Sequence, residues 1–317
     1  MSLLFKSKLK NAFWIIIPFL AFFFLFPRLS GADYPLSVVA APVEFVSADS
    51  PQQTEVPQKP VVLRMQGTYP APKFSAKSVL IYDPESNADL YTENVNAQLP
   101  IASLTKLMTA LVAMQSPNFD RPIKLTKADQ LNIAPYLHLT AGDIVRPADL
   151  VKAMLVGSAN DAALTLANHF PNSTDFIAAM NQKAQELGMV HTHYTTPIGF
   201  DTPGNYSTAA DLKILVNYAL VNFPYPEIWQ NKNYYFVSMT GKEYFILNSN
   251  SLVYQHPEIF SIKTGNTVEA LGSMIVLAKD APSGRTVITL VLDSDQREAD
   301  TLTAVNYGFK GFLPANN

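Results

Sequence analysis

Apolar positions along this chain change their period several times, and each change marks a boundary. Ala12 to Phe26 is an almost unbroken apolar run, interrupted by Pro18 and preceded by Lys6, Lys8 and Lys10. A basic stretch before such a run predicts export of the chain that follows, with the positive end left inside. The run is shorter than the ~20 residues of a membrane span, yet long for a signal-peptide core. Ser30-Gly31-Ala32 offers a small-residue cleavage site, whereas Pro27 and Arg28 disturb the approach to it and Leu29 extends the run. Residues 1–30 therefore read as a membrane anchor or a signal peptide cleaved near Ala32, with the balance on the anchor. From 31 to 72 no period survives, and prolines stand at 35, 42, 51, 57, 60, 70 and 72. Such a stretch buries too little to offset its ordering entropy, which predicts an extended, disordered tether.

From Phe74 onward the pattern is that of a folded domain, taken as residues 73–313. Ser78 to Tyr82, a turn at 83–87 and Ala88 to Tyr91 predict a β-hairpin. A helix follows, with Leu107, Met108, Leu111 and Val112 on one face. Residues 126–222 read as mostly helical, with helices over Pro147–Leu155, Asn160–Asn168, Thr174–Leu187 and Thr208–Leu220. Strand signals then take over: Asn233–Met239 and Glu243–Leu247 as a hairpin, then Phe260–Thr264, Gly272–Ala278 and Thr286–Leu292. A helix from Gln296 to Phe312 closes the pattern. Strands at both ends of a helical block predict one antiparallel sheet assembled from distant pieces, flanked by helices, with a mostly helical subdomain: an α+β fold.

Composition narrows the function. A hydrophobic content of 48% over 317 residues supports a sizeable core, and the net charge of −3 gives no basic face. With no zinc-finger or helix-turn-helix pattern either, nucleic acid is not an expected partner. The chain has no cysteine, which excludes disulfides, thiolate metal sites and a Cys nucleophile. His191 and His193 have no third ligand at metal spacing, and neither metal nor cofactor is expected.

The candidate chemistry sits at Ile101-Ala102-Ser103-Leu104-Thr105-Lys106. Residues three apart share a helix face, so the Ser103 hydroxyl lies beside the Lys106 amine. A hydroxyl becomes a nucleophile when a base takes its proton, and a lysine serves as that base when burial or a nearby cation lowers its pKa. The spacing by itself is cheap: it recurs at Ser7 to Lys10, and a capping Ser with a solvated Lys satisfies it equally. Two further triplets follow in order: Ser158-Ala159-Asn160 before a helix, and Lys263-Thr264-Gly265 at the end of a strand. Ser-x-Asn also occurs at Ser116 to Asn118, whereas Lys-Thr-Gly occurs once.

Ser-x-x-Lys, Ser-x-Asn and Lys-Thr-Gly in this order form the motif set of penicillin-binding proteins and class A β-lactamases. The chain resembles the D-alanyl-D-alanine carboxypeptidases, the low-molecular-weight penicillin-binding proteins, from about Ser75 to Phe312. The likeness extends through Ser158-Ala159-Asn160-Asp161-Ala162-Ala163, Gly199-Phe200-Asp201, Tyr206-Ser207-Thr208-Ala209, Ser261 to Thr267 and Asn306-Tyr307-Gly308-Phe309. This resemblance implies a β-lactamase/transpeptidase-like fold and a serine peptidase of the bacterial cell envelope, on the outer side of the membrane. Its substrates would be peptidoglycan stem peptides ending in D-Ala-D-Ala, and β-lactams its inhibitors. Ser103 would be the nucleophile and Lys106 its base; Ser158 would relay a proton to the leaving amine, and Asn160 would bond Lys106 and the substrate amide. Lys263 would be a cation beside Lys106, each disfavouring protonation of the other. Backbone N–H groups of Ser103 and Asn266 would hold the oxyanion; Thr264, Thr267 and Arg297, beside Gly265, would bind the terminal carboxylate. No spacing argument supports Arg297 independently.

Departures from the family pattern are Ile101 before Ala102, the loose Ser251-Leu252-Val253-Tyr254 after Asn248-Ser249-Asn250, and the absence of a second, all-β domain. No Gly-x-Ser-x-Gly elbow marks a Ser-His-Asp hydrolase, and no Glu-x-x-Leu-Asn loop marks a β-lactamase. The remaining alternatives are a D,D-endopeptidase opening cross-links with the same residues, and a non-catalytic wall-binding protein.

Overall fold

The computed structural model describes residues 63–65, 69–171 and 176–314. The anchor and most of the expected tether lie outside them. In chain order the strands are β1 (Leu63–Met65), β2 (Ser78–Tyr82), β3 (Asp89–Glu93), β4 (Ile123–Lys124), β5 (Ile144–Val145), β6 (Asn233–Val237), β7 (Glu243–Leu247), β8 (Ile259–Thr267), β9 (Leu271–Lys279), β10 (Thr286–Ser294) and β11 (Phe312–Pro314). The helices are α1 (Lys106–Met114), α2 (Pro147–Gly157), α3 (Asn160–Asn168), α4 (Phe176–Glu186), α5 (Ala209–Asn222) and α6 (Arg297–Lys310). None among the described residues is long and apolar enough to cross a membrane.

Five strands form an antiparallel sheet in the order β3-β2-β10-β9-β8. Successive strand residues point to opposite faces, and the chain exploits this by making both faces apolar. Leu80, Tyr82, Ile275, Ile288, Leu290 and Leu292 pack towards α1, α2, α3 and α5 in one core. Val79, Ile81, Met274, Val276, Val287 and Val291 pack with Ala304, Val305 and Tyr307 of α6 in the other. The helix starts follow local chemistry. Pro147 occupies the first turn of α2, where its missing N–H costs nothing. The Thr208 hydroxyl accepts the Asp211 N–H at 3.0 Å at the start of α5.

Two expectations need correction. First, the stretch assigned to the tether contributes structure: β1 pairs antiparallel with β11, and Tyr69 packs on Tyr307 at 5.6 Å between ring centroids. The folded domain thus begins by Leu63, before residue 73. A three-residue strand has no readable period, and its partner lies at the other end of the domain. Phe312, expected at the end of the last helix, belongs instead to this pairing. Second, the hairpin of β6 and β7 does not join the main sheet but forms its own two-stranded ribbon on α2. Phe236, Tyr244 and Ile246 are its buried face, and the Tyr234 hydroxyl donates to Asp149 of α2 at 2.7 Å.

Candidate active site

Ala102–Thr105 form a tight 3₁₀ turn that runs into α1. The Ser103 hydroxyl is engaged by Lys106 and lies 3.5 Å from the Ile198 carbonyl oxygen. Ser103 is half-buried at the surface, while Lys106 beneath it is wholly buried. Lys106 Nζ lies 2.6 Å from Ser103 Oγ, 2.8 Å from Asn160 Oδ1 and 2.8 Å from the Ile198 carbonyl oxygen. The Asn160 amide is oriented by its own donors, which reach the Ile133 and Ala134 carbonyls, each at 3.0 Å. Its oxygen therefore faces the lysine. Two of the three partners of Lys106 can only accept. A neutral amine has two N–H donors and one lone pair, so with its donors on Asn160 and Ile198 the lone pair meets the Ser103 O–H; an ammonium would donate to all three oxygens, with the Ser103 O–H turned to the Ile198 carbonyl at 3.5 Å. The neutral form is that of a base holding its nucleophile.

Electrostatics favour the neutral form. Burial, and then the charge of Lys263, hold the Lys106 pKa well below the ordinary lysine value. Lys263 is also fully buried; burial and the neighbouring Arg297 guanidinium bring its pKa down to about 7. The charge of Lys263 disfavours protonation of Lys106, as expected from sequence, and Arg297 adds a second cation beside Lys263. Burial is the larger cause in both.

β8 is the edge strand of the sheet, and its outer side meets the nucleophile turn. A side chain at Gly265 would put Cβ 3.0 Å from the Ile101 carbonyl oxygen and 3.4 Å from the Ser103 nitrogen, so glycine is what lets strand and turn touch. The Lys263 ammonium donates to the Thr264 carbonyl at 2.9 Å. The Thr264 hydroxyl lies 2.6 Å from that of Ser249, which itself donates to the Val156 carbonyl at 3.3 Å. Thr267 Oγ1 accepts the Ala270 N–H at 3.1 Å, closing the β8–β9 turn, and Asn266 beside it is exposed. Arg297 donates to the Gly265 carbonyl at 3.1 Å, and its Nε and Nη2 both reach Glu298 Oε1, at 3.1 and 2.6 Å. It lines a cleft of about 230 Å³ with Asn266, Leu271, Gly272, Ser294, Asp295 and Glu298.

Ser158 ends α2 with φ 63° and ψ 27°, the left-handed region. A non-glycine residue pays ~1–2 kcal/mol there, and such strain persists where the surroundings fix it. Its hydroxyl has no hydrogen-bond partner among the described residues. Asp161 accepts the Leu137 and Leu139 N–H groups, tying the 133–139 loop to the N-terminus of α3 and so to Asn160.

The structure thus joins Ser103, Lys106 and Asn160 directly, lays Gly265 against them, and buries Lys263 within reach of Lys106's charge. Both Asn160 N–H donors are already used by main-chain carbonyls, which leaves none for a substrate amide. Sequence reasoning missed the Ile198 carbonyl, because a main-chain oxygen has no residue signature. Its marker is Gly199, at φ +81°, whose Cβ would fall 1.9 Å from the Ala102 carbonyl oxygen. Ser249 and Glu298 were missed as well, each acting through another residue.

The sequence profile of the D-alanyl-D-alanine carboxypeptidase family matches residues 65–296. The chain is 29% identical over 213 residues to the D-alanyl-D-alanine carboxypeptidase DacF of Bacillus subtilis, 64% of this chain and 54% of that protein. It is 31% identical over 228 residues to DacB2 of Mycobacterium tuberculosis, 71% of this chain and 77% of the relative. The match to the Bacillus protein therefore spans about half of that protein's length. The crystal structure of the Streptomyces K15 DD-transpeptidase superposes with a TM-score of 0.70 at 29% identity, covering 76% of this chain and 99% of that one. The α+β architecture is thus the DD-peptidase fold, and by the match over residues 65–296 the chain belongs to the D-alanyl-D-alanine carboxypeptidase family.

Proposed function

We propose that the chain is a serine-type D-Ala-D-Ala carboxypeptidase that trims the terminal D-alanine from peptidoglycan stem peptides. The observation that carries this reading is the contact of Lys106 Nζ with Ser103 Oγ at 2.6 Å, made by a wholly buried lysine whose pKa is held low, which suits it to take the hydroxyl proton. Lys106 takes the Ser103 proton as Oγ attacks the carbonyl between the two D-alanines. The C–N bond breaks, the proton passes to the leaving amine, and Ser158, with its unengaged hydroxyl, stands as the relay. Water then hydrolyses the acyl-enzyme, with Lys106 again the base. Lys263, in its charged form, and the Thr264 hydroxyl provide the pull on the substrate carboxylate; Arg297, half-neutralised by Glu298, contributes its field from the neighbouring cleft. The backbone N–H groups of Ser103 and Asn266 are assigned the oxyanion, and Thr267 the flank of the carboxylate site. β-Lactams would acylate the same hydroxyl. The apolar run 12–26 would hold the domain at the outer face of a bacterial cytoplasmic membrane.

The test is the intact mass of the full chain after incubation with a penicillin, beside Ser103→Ala. An adduct of penicillin mass on the wild type alone is expected; none on folded wild-type protein refutes the reading. Muropeptide analysis then separates loss of terminal D-Ala from conversion of cross-linked dimers to monomers, the signature of an endopeptidase.

A further inference from the structure

The ribbon of β6 and β7 buries one face on α2 and leaves the other unpartnered. Strand alternation predicts a polar outer face, yet beside Asn233 and Glu243 it carries Tyr235, Val237, Met239, Phe245 and Leu247, from 43% to 58% exposed. Tyr235 stands directly opposite Phe245 in the register. Tyr254, 40% exposed, extends the patch, its hydroxyl bonded to the Lys232 carbonyl at 2.7 Å. The other exposed large apolar side chains of the described residues, Ile133, Val190, Ile214, Val221 and Val268, are aliphatic and scattered along the sequence. A continuous patch on the order of 500 Å², at roughly 100 Å² per half-exposed side chain, is at the upper end of what a monomer leaves uncovered without purpose.

We propose that this face is a lipid-contacting surface that lays the domain against the membrane. Two observations choose a bilayer over other occupants. The patch is smaller than the ~800 Å² per partner of a stable protein interface, which argues against a second copy. The chain also carries its own apolar run, Ala12 to Phe26, ahead of β1. At no more than ~3.3 Å per residue, covalent geometry limits the reach of the intervening residues 27–62 to on the order of 100 Å. That is ample for the domain to fold back onto the bilayer holding the run, and tethering raises the local lipid concentration it meets, so weak contact suffices. The inference rests on the membrane reading of residues 12–26. Because β7 leads through Asn248 to Ser249 and its bond with Thr264, contact at the ribbon would set the catalytic groove close to the membrane surface.

The chain has no cysteine, so one introduced thiol reports one place. Phe245→Cys in the full chain, labelled with an environment-sensitive nitrobenzoxadiazole, is compared with Val221→Cys, 84% exposed on α5. Both are mixed with phosphatidylcholine/phosphatidylglycerol vesicles carrying brominated acyl chains, and retained penicillin labelling confirms the fold of each. The expected result is co-flotation of both, with a blue shift and bromine quenching at position 245 alone. Co-flotation with both labels solvent-exposed overturns the ribbon proposal and leaves the anchor reading standing. No co-flotation, with position 245 unquenched in excess vesicles, overturns both. A shift at 245 that needs no lipid and grows with protein concentration overturns it in favour of a second copy.

Discussion

Gly199→Ala tests whether the Ile198 carbonyl is part of the catalytic base. The new Cβ would sit 1.9 Å from the Ala102 carbonyl oxygen and 2.9 Å from Thr105 Oγ1, at a backbone φ of +81°. The left-handed conformation costs an alanine ~1–2 kcal/mol. The overlap adds to this, because Cβ must withdraw by roughly 1 Å or more to reach van der Waals contact. A shift of that size on residue 199 pulls the adjoining Ile198 carbonyl from its 2.8 Å contact with Lys106. One amine proton then has no acceptor in a fully buried site, and the lone pair is no longer held on Ser103. Misplacement by about 1 Å costs ~100-fold in rate, so acylation by a fluorescent penicillin is expected to slow by about two orders of magnitude. Gly204→Ala is the matched control. It has the same handedness, φ +87°, but its nearest neighbour would be the Thr195 methyl at 3.5 Å. It should lose ~1–2 kcal/mol of stability and keep its acylation rate. Stopped-flow acylation with thermal melts of both variants decides. A folded Gly199→Ala that acylates within threefold of wild type would refute the role given to this carbonyl.

The shared reach of the site generates further tests. Lys263 titrates at about 7 in the free protein and binds carboxylate only when charged. kcat/KM on peptides ending in a carboxylate should therefore fall as pH rises through 7, while the kcat limb lies higher, because bound carboxylate favours the ammonium; a kcat/KM flat from pH 6 to 9 would contradict this. Both buried lysines bind protons less tightly when folded than at the ordinary value of 10.5. The unfolded chain thus holds more protons between about 7 and 10.5, and stability should climb with pH across that window, as urea midpoints would show. Ser249→Ala removes the partner of the Thr264 hydroxyl and should raise KM about 2–10-fold with kcat less affected, with Ser249→Thr restoring it. In the helical subdomain, burial opposes the charge of Asp129, but His169 and Thr126 outweigh it and hold the pKa at about 2. Its contribution is complete above the ordinary value of 3.8 and lost as pH falls towards 2; Asp129→Asn should remove about 2 kcal/mol at pH 7, measured by denaturant unfolding.

Much of this protein is written in short-range pattern. The 3.6-residue period with its caps fixes α2, α3 and α5 to within a residue or two, and the three-residue spacing puts the Ser103 hydroxyl against the Lys106 amine. Period and spacing depend on neighbours along the chain, so neighbours suffice to read them. Other features depend on partners that only packing supplies. Leu63–Met65 is a strand because Phe312–Pro314 lies beside it, and β6 with β7 forms a separate ribbon because α2 offers Asp149 and a groove at Gly157. The same division runs through the site. The order of the three motifs named its side chains. The Ile198 carbonyl, the Ser249 hydroxyl behind Thr264 and Glu298 on Arg297 came from segments with no motif of their own. Above all, the sequence supplied a lysine, and the tertiary structure made it a base. Only burial removes the water that keeps an ammonium charged, and burial is a property of the whole fold.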